Sequence, residues 1–424
     1  MKIIMELLRN KKQIKRKTSW STNILLLTAL MYNVFVFVTC VNPPQSITEV
    51  EEVEITEDLI QAVRRYDDIK PFHNGFALVT KQNENEGVLY FGFINTKGEE
   101  VVPCNKYGMS YEDYYICNGG QGEINSKFED GLAAVCRNGK WGFVDTTGAE
   151  VIPCQYENGW NCSIDWESVF SEGLAAVCRN GKWGFIDTTG AEVIPCQYDD
   201  ADDFSEGLAV VGRTNNLGLV KMGYVNTKGE EIIPCQYDLA YRFSEGLAPV
   251  MCDGKMGFIN MKGEIIIPLQ YEGANSFHDG LSKVERNGKC GFINKKGNIV
   301  IPFQYDFYGV DDFSNGMARI GQTWEKQGFI NTIGENVIPC LYDDVKSFSE
   351  GLAAVCRDGK YGFINTKGDV IIPFQYDHAE SFSEGTAVVS LYFGDESVRT
   401  GLIDKKGHST FTQTDWNKYK LANK

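Results

Sequence analysis

The chain has 424 residues, a length that ordinarily indicates two or three globular domains. Residues 1–40 contain seven Lys or Arg and one Glu, so the rest of the chain carries 34 basic and 56 acidic residues, a net charge of −22. Such an acidic surface repels the phosphates of nucleic acids and of anionic membranes, so we predict no nucleic-acid partner and membrane contact through the N-terminal segment only.

Residues 1–41 differ in composition from everything that follows. A basic block at residues 11–17 precedes an apolar run at residues 24–41, a pattern typical of an export signal. The run is also about 18–20 residues long, enough for an uncleaved membrane anchor. Cys40 stands where a bacterial lipoprotein signal places its acylated cysteine, although Phe occupies a position where that signal usually has a small aliphatic residue. Ordinary cleavage and a buried cytosolic segment complete the alternatives, and all but the last predict a membrane-anchored or exported protein of the bacterial cell envelope.

Residues 42–71 form an acidic stretch that we interpret as a solvated linker. A short helix around residues 56–66 is the alternative, with Thr56 as its N-cap because a Thr hydroxyl can accept a bond from the first helical turn.

From residue 72 to about residue 407 the chain repeats one unit, best seen at residues 170–203, FSEGLAAVCRNGKWGFIDTTGAEVIPCQYDDADD. The basic step is 34 residues, as from Phe170 to Phe204. Nine units begin at the same Phe, namely Phe72, Phe128, Phe170, Phe204, Phe243, Phe277, Phe313, Phe348 and Phe382. Two insertions, at residues 105–127 and 157–169, lengthen the early units, and residues 408–424 form a polar C-terminal tail.

Turn chemistry predicts three strands in each unit. Asn180-Gly181 stands between two apolar runs, which is a strong signal for a hairpin because both residues must take positive φ. Asp187-Thr-Thr-Gly190 is the next turn, in which the Asp side chain bonds the backbone two residues on. Calcium binding is the alternative role for this Asp, but more units carry Asn than Asp there, which favours the turn.

Two further positions hardly vary among the units. A glycine inside the second strand, such as Gly184, indicates a bulge or the close approach of another backbone. A proline in the third strand, such as Pro195, lacks a ladder donor and therefore predicts a sheet edge or a bulge.

These residues resemble the bacterial WG (KWG) repeat, with its F-x-(E/D)-G-L-A start, G-K-W-G-(F/Y)-I-(D/N) centre and V-I-P-x-x-Y end. The resemblance covers about residues 72–407 and implies binding or scaffolding without catalytic residues. The Trp position of the G-K-W-G motif is occupied by Trp only in two units, at Trp141 and Trp183. Met, Cys, Gln and Tyr occupy this position, the Trp slot, in other units, which indicates that its side chain packs inside the fold. We predict an all-β fold of tandem hairpin-plus-strand units in an elongated twisted array, with a closed β-propeller-like ring as the alternative because three strands fall short of the usual four per blade.

Most of the 13 cysteines occupy repeat slots that accept other apolar residues, so we interpret them as reduced core residues. Pairing within a unit, as between Cys136 and Cys154, is the alternative for an exported chain. Cys117 and Cys162 lie in the two insertions, where we hypothesise a disulfide. No C-x-x-C pair occurs, so we predict no metal site.

The insertions also supply the candidate binding residues, because loops that interrupt a regular array usually carry function. These residues are Tyr111, Tyr114, Tyr115, Trp160 and Trp166. The four His lie in different units and the common catalytic motifs are missing from the sequence, so we predict no enzyme and no cofactor. Recurrent carboxylates such as Asp199 and Asp200 are interpreted as a solvated acidic edge. Two function classes remain, a scaffold for a protein partner and a module that binds cell-wall or other glycan through aromatic shelves; buried rings would favour the scaffold.

Overall fold

The fold is given by a computed structural model that describes residues 53–110, 126–157, 170–322, 325–393 and 397–422. All of them belong to the unit Glu52–Lys424. Two α-helices flank the strands at opposite ends of this part of the chain, α1 at Glu57–Val63 and α2 at Gln413–Ala422. Neither of them, nor any other helix of the described residues, is long and apolar enough to cross a membrane.

The described strands form nine small antiparallel sheets, numbered here as sheets 1 to 9 in chain order. Sheet 1 contains β1 (Asp68–Ile69), β2 (Phe76–Asn83), β3 (Val88–Asn95) and β4 (Glu100–Ser110). Sheet 2 contains β5 (Leu132–Arg137), β6 (Lys140–Asp145) and β7 (Glu150–Tyr156). Sheet 3 contains β8 (Leu174–Arg179), β9 (Lys182–Asp187) and β10 (Glu192–Tyr198). Sheet 4 contains β11 (Asp200–Ser205), β12 (Leu208–Thr214), β13 (Val220–Asn226) and β14 (Glu231–Tyr237). Sheet 5 contains β15 (Leu239–Ala240), β16 (Leu247–Cys252), β17 (Lys255–Asn260) and β18 (Ile265–Tyr271). Sheet 6 contains β19 (Gly273–Ala274), β20 (Leu281–Arg286), β21 (Lys289–Asn294) and β22 (Ile299–Tyr305). Sheet 7 contains β23 (Met317–Ile320), β24 (Gln327–Asn331) and β25 (Asn336–Tyr342), and a 3-10 turn (Phe307–Gly309) precedes it. Sheet 8 contains β26 (Asp344–Val345), β27 (Leu352–Arg357), β28 (Lys360–Asn365) and β29 (Val370–Tyr376). Sheet 9 contains β30 (His378–Ala379), β31 (Thr386–Tyr392) and β32 (Val398–Asp404).

Most sheets contain a short strand that the sequence did not predict. It follows the Tyr-Asp pair at the end of the previous unit and pairs with the first predicted strand, as β15 pairs with β16 through Leu239–Met251 and Ala240–Val250. A strand of two residues is too short to show an alternating pattern, so three strands per unit was an undercount. Sheets 1, 4, 5, 6 and 8 therefore have the four strands of a propeller blade, and the other four sheets have three described strands.

The predicted turns are confirmed. Asn180 and Gly181 have φ of 53° and 69°, as a two-residue hairpin of this kind requires. Oδ1 of Asp187 accepts the backbone N–H of Thr189 at 2.9 Å and of Ala191 at 3.0 Å. Hydrogen bonding from the Thr189 hydroxyl lowers the pKa of Asp187, and these bonds account for the Asp by turn formation.

The second-strand glycine lies beneath a bulge of the third strand. Ile194 pairs with Phe185 and Tyr198 pairs with Trp183, so the segment that contains Pro195 is looped out opposite Gly184. A Cβ on Gly184 would lie 2.5 Å from the carbonyl oxygen of Ile194. Both predictions for this strand hold, because it is bulged and it is the last strand of its sheet.

The Phe-Ser-Glu-Gly segment links each sheet to the next. Its Ser hydroxyl donates to the carbonyl oxygen of the next unit's Phe at 2.7–3.0 Å, in the pairs Ser171–Phe204, Ser205–Phe243, Ser244–Phe277, Ser314–Phe348, Ser349–Phe382 and Ser383–Phe72. The last pair joins the ninth unit to the first. Next to it, the backbone N–H of Gly75 donates to Glu384 at 2.8 Å, as that of Gly246 does to Glu206 in mid-chain.

The nine sheets therefore form a closed ring, a nine-bladed β-propeller, and each sheet is one blade. The elongated array that we favoured from the sequence gives way to the ring that we held as the alternative. Blades are closest near the axis of a ring, so the hydrogen-bonded Phe-Ser-Glu-Gly hairpins mark the inner side. The third strand, at the opposite edge of each sheet, is the outer strand.

Helix α1 packs at the junction of blades 9 and 1, whereas α2 packs on blades 8 and 9. Thr56 caps α1, accepting the N–H of Leu59 at 3.3 Å, as the sequence suggested. Leu59 and Val63 are buried in one cluster with Val388 and Leu402, so the described part of the acidic stretch packs against both ends of the repeat array instead of extending into solvent. Arg64 on this side donates to Asp415 of α2 at 2.6 Å.

Candidate functional site

The candidate residues named from the sequence lie outside the described residues. These are Tyr111, Tyr114, Tyr115, Trp160 and Trp166 of the insertions, the proposed disulfide partners Cys117 and Cys162, and the lipid-attachment candidate Cys40. Their roles stay predictions, and the site below is built from the described residues.

The Trp slot of the repeat is an interior position. Trp183 is 7% exposed and faces Cys178 and Tyr198 across the sheet. Met256, Cys290 and Gln327 occupy the same slot in other blades and are also buried. Where Gln327 stands, its Oε1 accepts the N–H of Val345 of the next blade at 3.0 Å. Trp141 and Tyr361 in this slot are half-buried. The slot therefore packs the blade, and its rings do not form a row of fully exposed aromatic shelves.

The outer strands of six blades expose an apolar residue at the same position of the repeat. The outer strands share the six-residue pattern Val/Ile-Ile-Pro-x-Gln-Tyr. The Ile before the Pro and the final Tyr are buried, whereas the first residue and the Pro face solvent, as Val193 and Pro195 do on β10. The first residue is 38–45% exposed in six blades, at Val151, Val193, Ile232, Ile266, Val337 and Ile371. We call these six residues and the Pro two positions after each of them the outer ridge.

The ridge is flanked by fixed charges. Arg179 of β8 lies over the ring of Tyr156, the last residue of the previous outer strand, at 5.3 Å, and also donates to Glu192 at 3.0 Å. The same Arg-over-aromatic contact between adjacent blades recurs for Arg213 on Tyr198 at 4.4 Å. Cation–π contacts of this kind hold the guanidinium in place. Three ridge residues directly follow the carboxylate of an Arg–carboxylate pair: Val151 (Arg137–Glu150), Val193 (Arg179–Glu192) and Ile232 (Arg213–Glu231).

The recurrent carboxylates join blades to one another. The Asp after the unit's last Tyr accepts a bond from the Lys of the preceding G-K-W-G hairpin, as Asp238 does from Lys221. Its other oxygen accepts a backbone N–H of the next blade, from Asp253 at 2.7 Å. The bond from Lys221 lowers the pKa of Asp238. A solvated edge was therefore an incomplete interpretation, because these side chains are inter-blade links that hold an ionised carboxylate.

No disulfide joins any two of the ten described cysteines, in agreement with the interpretation as reduced core residues and not with pairing between Cys136 and Cys154. Cys104, Cys154, Cys196 and Cys235 follow the third-strand Pro, and each thiol donates to a Val carbonyl of the first strand at 3.6–3.9 Å. Burial raises the pKa of Cys104 to about 12 and of Cys235 to about 11. Such thiols are poor nucleophiles and poor metal ligands.

One group of three side chains in the described ranges has the spacing of metal ligands, Asp238, Cys252 and Asp253. Asp238 is engaged by Lys221, as described above, and burial raises the pKa of Cys252. Both features oppose a cation there, because the Lys ammonium already occupies the carboxylate and the thiol is protonated at neutral pH.

The outer ridge was missed from the sequence, although a signal was present. The residue two before the Pro is Val or Ile in all eight units that carry this Pro, at Val101, Val151, Val193, Ile232, Ile266, Val300, Val337 and Ile371. Because β-branched residues favour strands wherever they point, identity alone does not separate this exposed position from its buried neighbour. The register of the bulge, which only the structure gives, makes that distinction.

No curated protein sequence matches the chain significantly. Among solved structures, the chain is similar to the computationally designed Ika8 protein (11% identity, 65% of this chain and 94% of that chain, TM-score 0.39). It is also similar to a eukaryotic initiation factor (14% identity, 66% and 84%, TM-score 0.47) and to Hsv2p of Kluyveromyces lactis (9% identity, 55% and 90%, TM-score 0.34).

The family model described as the WG containing repeat matches most of the chain. It covers ten segments, residues 64–84, 91–109, 124–141, 141–183, 183–216, 222–255, 256–290, 291–322, 328–361 and 361–391. These segments span blades 1 to 8 and part of blade 9, and together they exceed half of the 424 residues. The chain therefore belongs to the family of WG-containing repeat proteins.

Proposed function

We propose that this protein is a non-catalytic scaffold of the bacterial cell envelope that binds a protein partner through the outer ridge of its propeller. A propeller of repeated blades is typical of protein-interaction scaffolds. The observation that carries the proposal is the repetition of one exposed Val or Ile around the ring, at the same position of six outer strands. Isolated surface hydrophobics need no explanation, whereas an apolar position kept exposed in blade after blade favours an interaction surface.

The partner would contact side chains and not extend the sheet. The outer strand has a free edge, but its Pro lacks an N–H and its bulge breaks the ladder, two devices that block strand addition. The pairs of Arg179 with Glu192 and of Arg137 with Glu150, at 3.0 and 2.9 Å, would supply polar contacts at the rim of the apolar contacts in blades 3 and 2.

Two further observations support this proposal over its alternatives. The buried Trp slot disfavours glycan binding by aromatic shelves, since a sugar needs an accessible ring face.

Location in the envelope rests on the basic and apolar pattern of residues 11–41. Fractionation of the native host, with mass spectrometry of the mature N-terminus, tests it: an acylated Cys40 or an intact leader in the membrane fraction supports the envelope, and an intact cytosolic protein contradicts it.

Site-specific photo-crosslinking in living cells tests the ridge. A benzophenone amino acid at Ile232 or Ile371 should give discrete crosslinked products with one protein, whereas the same group at Lys228, on an exposed turn outside the ridge, should not. Replacing the ridge residues of three adjacent blades with Thr, which keeps β-branching, should abolish the products. Equal crosslinking from Lys228, or products that survive the Thr substitutions, would place the partner elsewhere.

A further inference from the structure

The Arg–Glu pair beside the outer ridge is present in some blades and missing from others. Blades 2, 3 and 4 contain it at 2.9–3.8 Å, as Arg137–Glu150, Arg179–Glu192 and Arg213–Glu231. The Glu stands three residues before the outer-strand Pro in each of these blades. Blades 5 and 7 lack both members together, with Cys252 and Ile265 in blade 5 and Gln322 and Asn336 in blade 7.

Blades 6 and 8 have the Arg without the Glu. Ile299 and Val370 occupy the Glu position, so Arg286 and Arg357 lack the carboxylate that their equivalents bind. Within the described ranges, neither guanidinium donates a hydrogen bond or forms an ion pair. Because Arg is always protonated in proteins, each of these two blades presents a positive charge without a carboxylate partner in the described chain.

The carboxylates at the same junctions are bound to other groups. Glu272, which follows the last Tyr of blade 5, accepts the N–H of Gly288 at 3.0 Å. Asp343, which follows the last Tyr of blade 7, accepts a bond from Lys326 and the N–H of Asp358 at 2.8 Å. Both carboxylates serve the links between blades, and neither forms an ion pair with the Arg of its junction.

The two Arg side chains lie over phenylalanines that occur at this position in the same two blades only. The residue after the outer-strand Pro is Phe303 in blade 6 and Phe374 in blade 8, whereas it is Cys or Leu in the other six units that carry this Pro. Arg286 lies 4.9 Å from the ring centroid of Phe303, and Arg357 lies 4.2 Å from that of Phe374. Loss of the Glu and gain of the Phe therefore coincide.

Each Phe ring joins two outer strands. Its centroid lies 6.4 Å from that of Tyr271 in the case of Phe303 and 6.3 Å from that of Tyr342 in the case of Phe374, in stacked geometry. A guanidinium over an aromatic ring is held by stacking and keeps its five N–H donors for other acceptors. Junctions 5/6 and 7/8 therefore share an aromatic pair with an ordered Arg above it.

Exposed apolar residues lie on the outer strands that meet at both junctions. Ile265, Ile266 and Ile299 are 44–55% exposed at junction 5/6. Leu341, Val370 and Ile371 are 45–60% exposed at junction 7/8. We call each set, together with the Arg, Phe and Tyr of its junction, the 5/6 patch and the 7/8 patch.

We propose that the 5/6 and 7/8 patches bind a protein partner whose contacting segments present a carboxylate beside apolar side chains. The carboxylate would bind Arg286 or Arg357 in place of the missing Glu, and the apolar side chains would pack on the exposed Ile, Val and Leu residues. This binding rests on the proposed function of the outer ridge, to which Ile266 and Ile371 belong, and it assigns the charged contacts to two junctions of the ridge.

Selection of a random peptide library on the full-length protein tests the chemistry of the partner. Enriched peptides should carry Asp or Glu next to Ile, Leu, Val or Phe, and titration calorimetry of one such peptide should count two sites per chain, one per patch. Loss of a charge-assisted hydrogen bond weakens a site at least about tenfold. Arg286→Gln and Arg357→Gln should therefore each leave one strong site, and the double variant should leave none.

Blade 3 supplies the matched control. Arg179 lies over Tyr156 in the same way but is bound to Glu192 at 3.0 Å, so Arg179→Gln removes an equivalent charge and should leave both sites intact. The double variant Ile299→Glu and Val370→Glu installs the pair of blades 2 to 4 and keeps both Arg, and it should also abolish binding. A purely structural role of the Arg residues does not predict that loss. Urea unfolding of each variant checks that it remains folded.

Three outcomes would overturn this inference: no enrichment or enrichment of basic or uncharged peptides, an equal loss of affinity in Arg179→Gln, and unchanged binding in the Ile299→Glu and Val370→Glu variant. The ridge itself is judged separately by photo-crosslinking. Crosslinks from Ile371 that persist at full yield in the Arg286→Gln and Arg357→Gln double variant would contradict the charged contacts and leave the ridge proposal standing. An absence of crosslinks from both Ile232 and Ile371 would contradict the ridge proposal.

Discussion

Replacing Gly184 with Ala tests whether the bulged outer strand explains the invariant glycine of the second strand. The added Cβ would lie 2.5 Å from the carbonyl oxygen of Ile194, 2.6 Å from the backbone nitrogen of Cys196 and 2.7 Å from the carbonyl carbon of Pro195. Contacts between heavy atoms are normally about 3.5 Å or longer, so the bulge would have to move away by roughly 0.9 Å. All three atoms belong to backbone, so no side-chain rotation relieves the clash.

That movement has a cost that the neighbouring residues define. Ile194 and Tyr198 bracket the bulge and are each 1% exposed, so the outer strand cannot retreat without loosening the blade core. Overpacking of this kind costs about 1–3 kcal/mol, and we expect Gly184→Ala to lie near about 3 kcal/mol because backbone must shift.

Urea unfolding at equilibrium measures the effect, and Gly309→Ala is its control. A Cβ at Gly309 meets its nearest atom, Cβ of Asp306, at 3.7 Å, so this substitution should change the free energy of unfolding by less than about 0.5 kcal/mol. An unchanged slope of free energy against urea would show that the midpoint reports stability. If Gly184→Ala is as stable as Gly309→Ala, the close approach does not explain the glycine.

Three further perturbations address the links between blades and the cysteines. Acid should weaken the ring: the pKa of Asp238 is lowered in the folded state by its bond from Lys221, so its stabilising contribution is present above the unfolded pKa of about 3.9 and is lost as the pH falls through the folded value. Glu384→Ala should raise hydrogen exchange in both blades 9 and 1, because this carboxylate accepts the N–H of Gly75 across the junction. Native thiols should react slowly with a disulfide reagent, since burial raises the pKa of residues such as Cys104 to about 12.

Each of these expectations has a contrasting result. A urea midpoint that stays constant from pH 7 to about pH 3 would show that the Lys–Asp links contribute nothing. Glu206→Ala removes the equivalent bond in mid-chain, to Gly246, and should affect only blades 4 and 5; identical exchange patterns in the two variants would contradict a special role for Glu384. In denaturant, a count of all 13 cysteines would rule out a disulfide between Cys117 and Cys162.

The features predicted correctly from the sequence are those fixed by a few adjacent residues. Positive φ at Asn180 and the side-chain bonds of Asp187 depend on local backbone chemistry, so their residue types reveal the turns. The glycine of the second strand and the proline of the outer strand likewise indicate a bulge. The short strand escaped notice because β15 and β19 share little more than an Ala, and their strand character comes from pairing with the next segment.

Site residues were harder to predict because exposure depends on packing between blades. We predicted binding residues in the insertions because aromatic residues are concentrated there. The outer ridge was not predicted because it has the same residue types as the core beside it.

Closure of the ring also had a signal in the repeat, although one of arrangement and not of residue type. In an open array, Ser383 and Glu384 of the last unit would have no following unit, and the carbonyl of Phe72 would have no preceding one. In the structure these groups of the last and first units bind one another, because Ser383 donates to the carbonyl of Phe72 and the N–H of Gly75 donates to Glu384. A capping unit would be expected to lose these groups, because an array end faces water and gains nothing from them. Terminal units that keep the residues for binding a neighbour on both sides therefore indicate a ring, and this criterion applies to any repeat sequence whose inter-unit contacts are known.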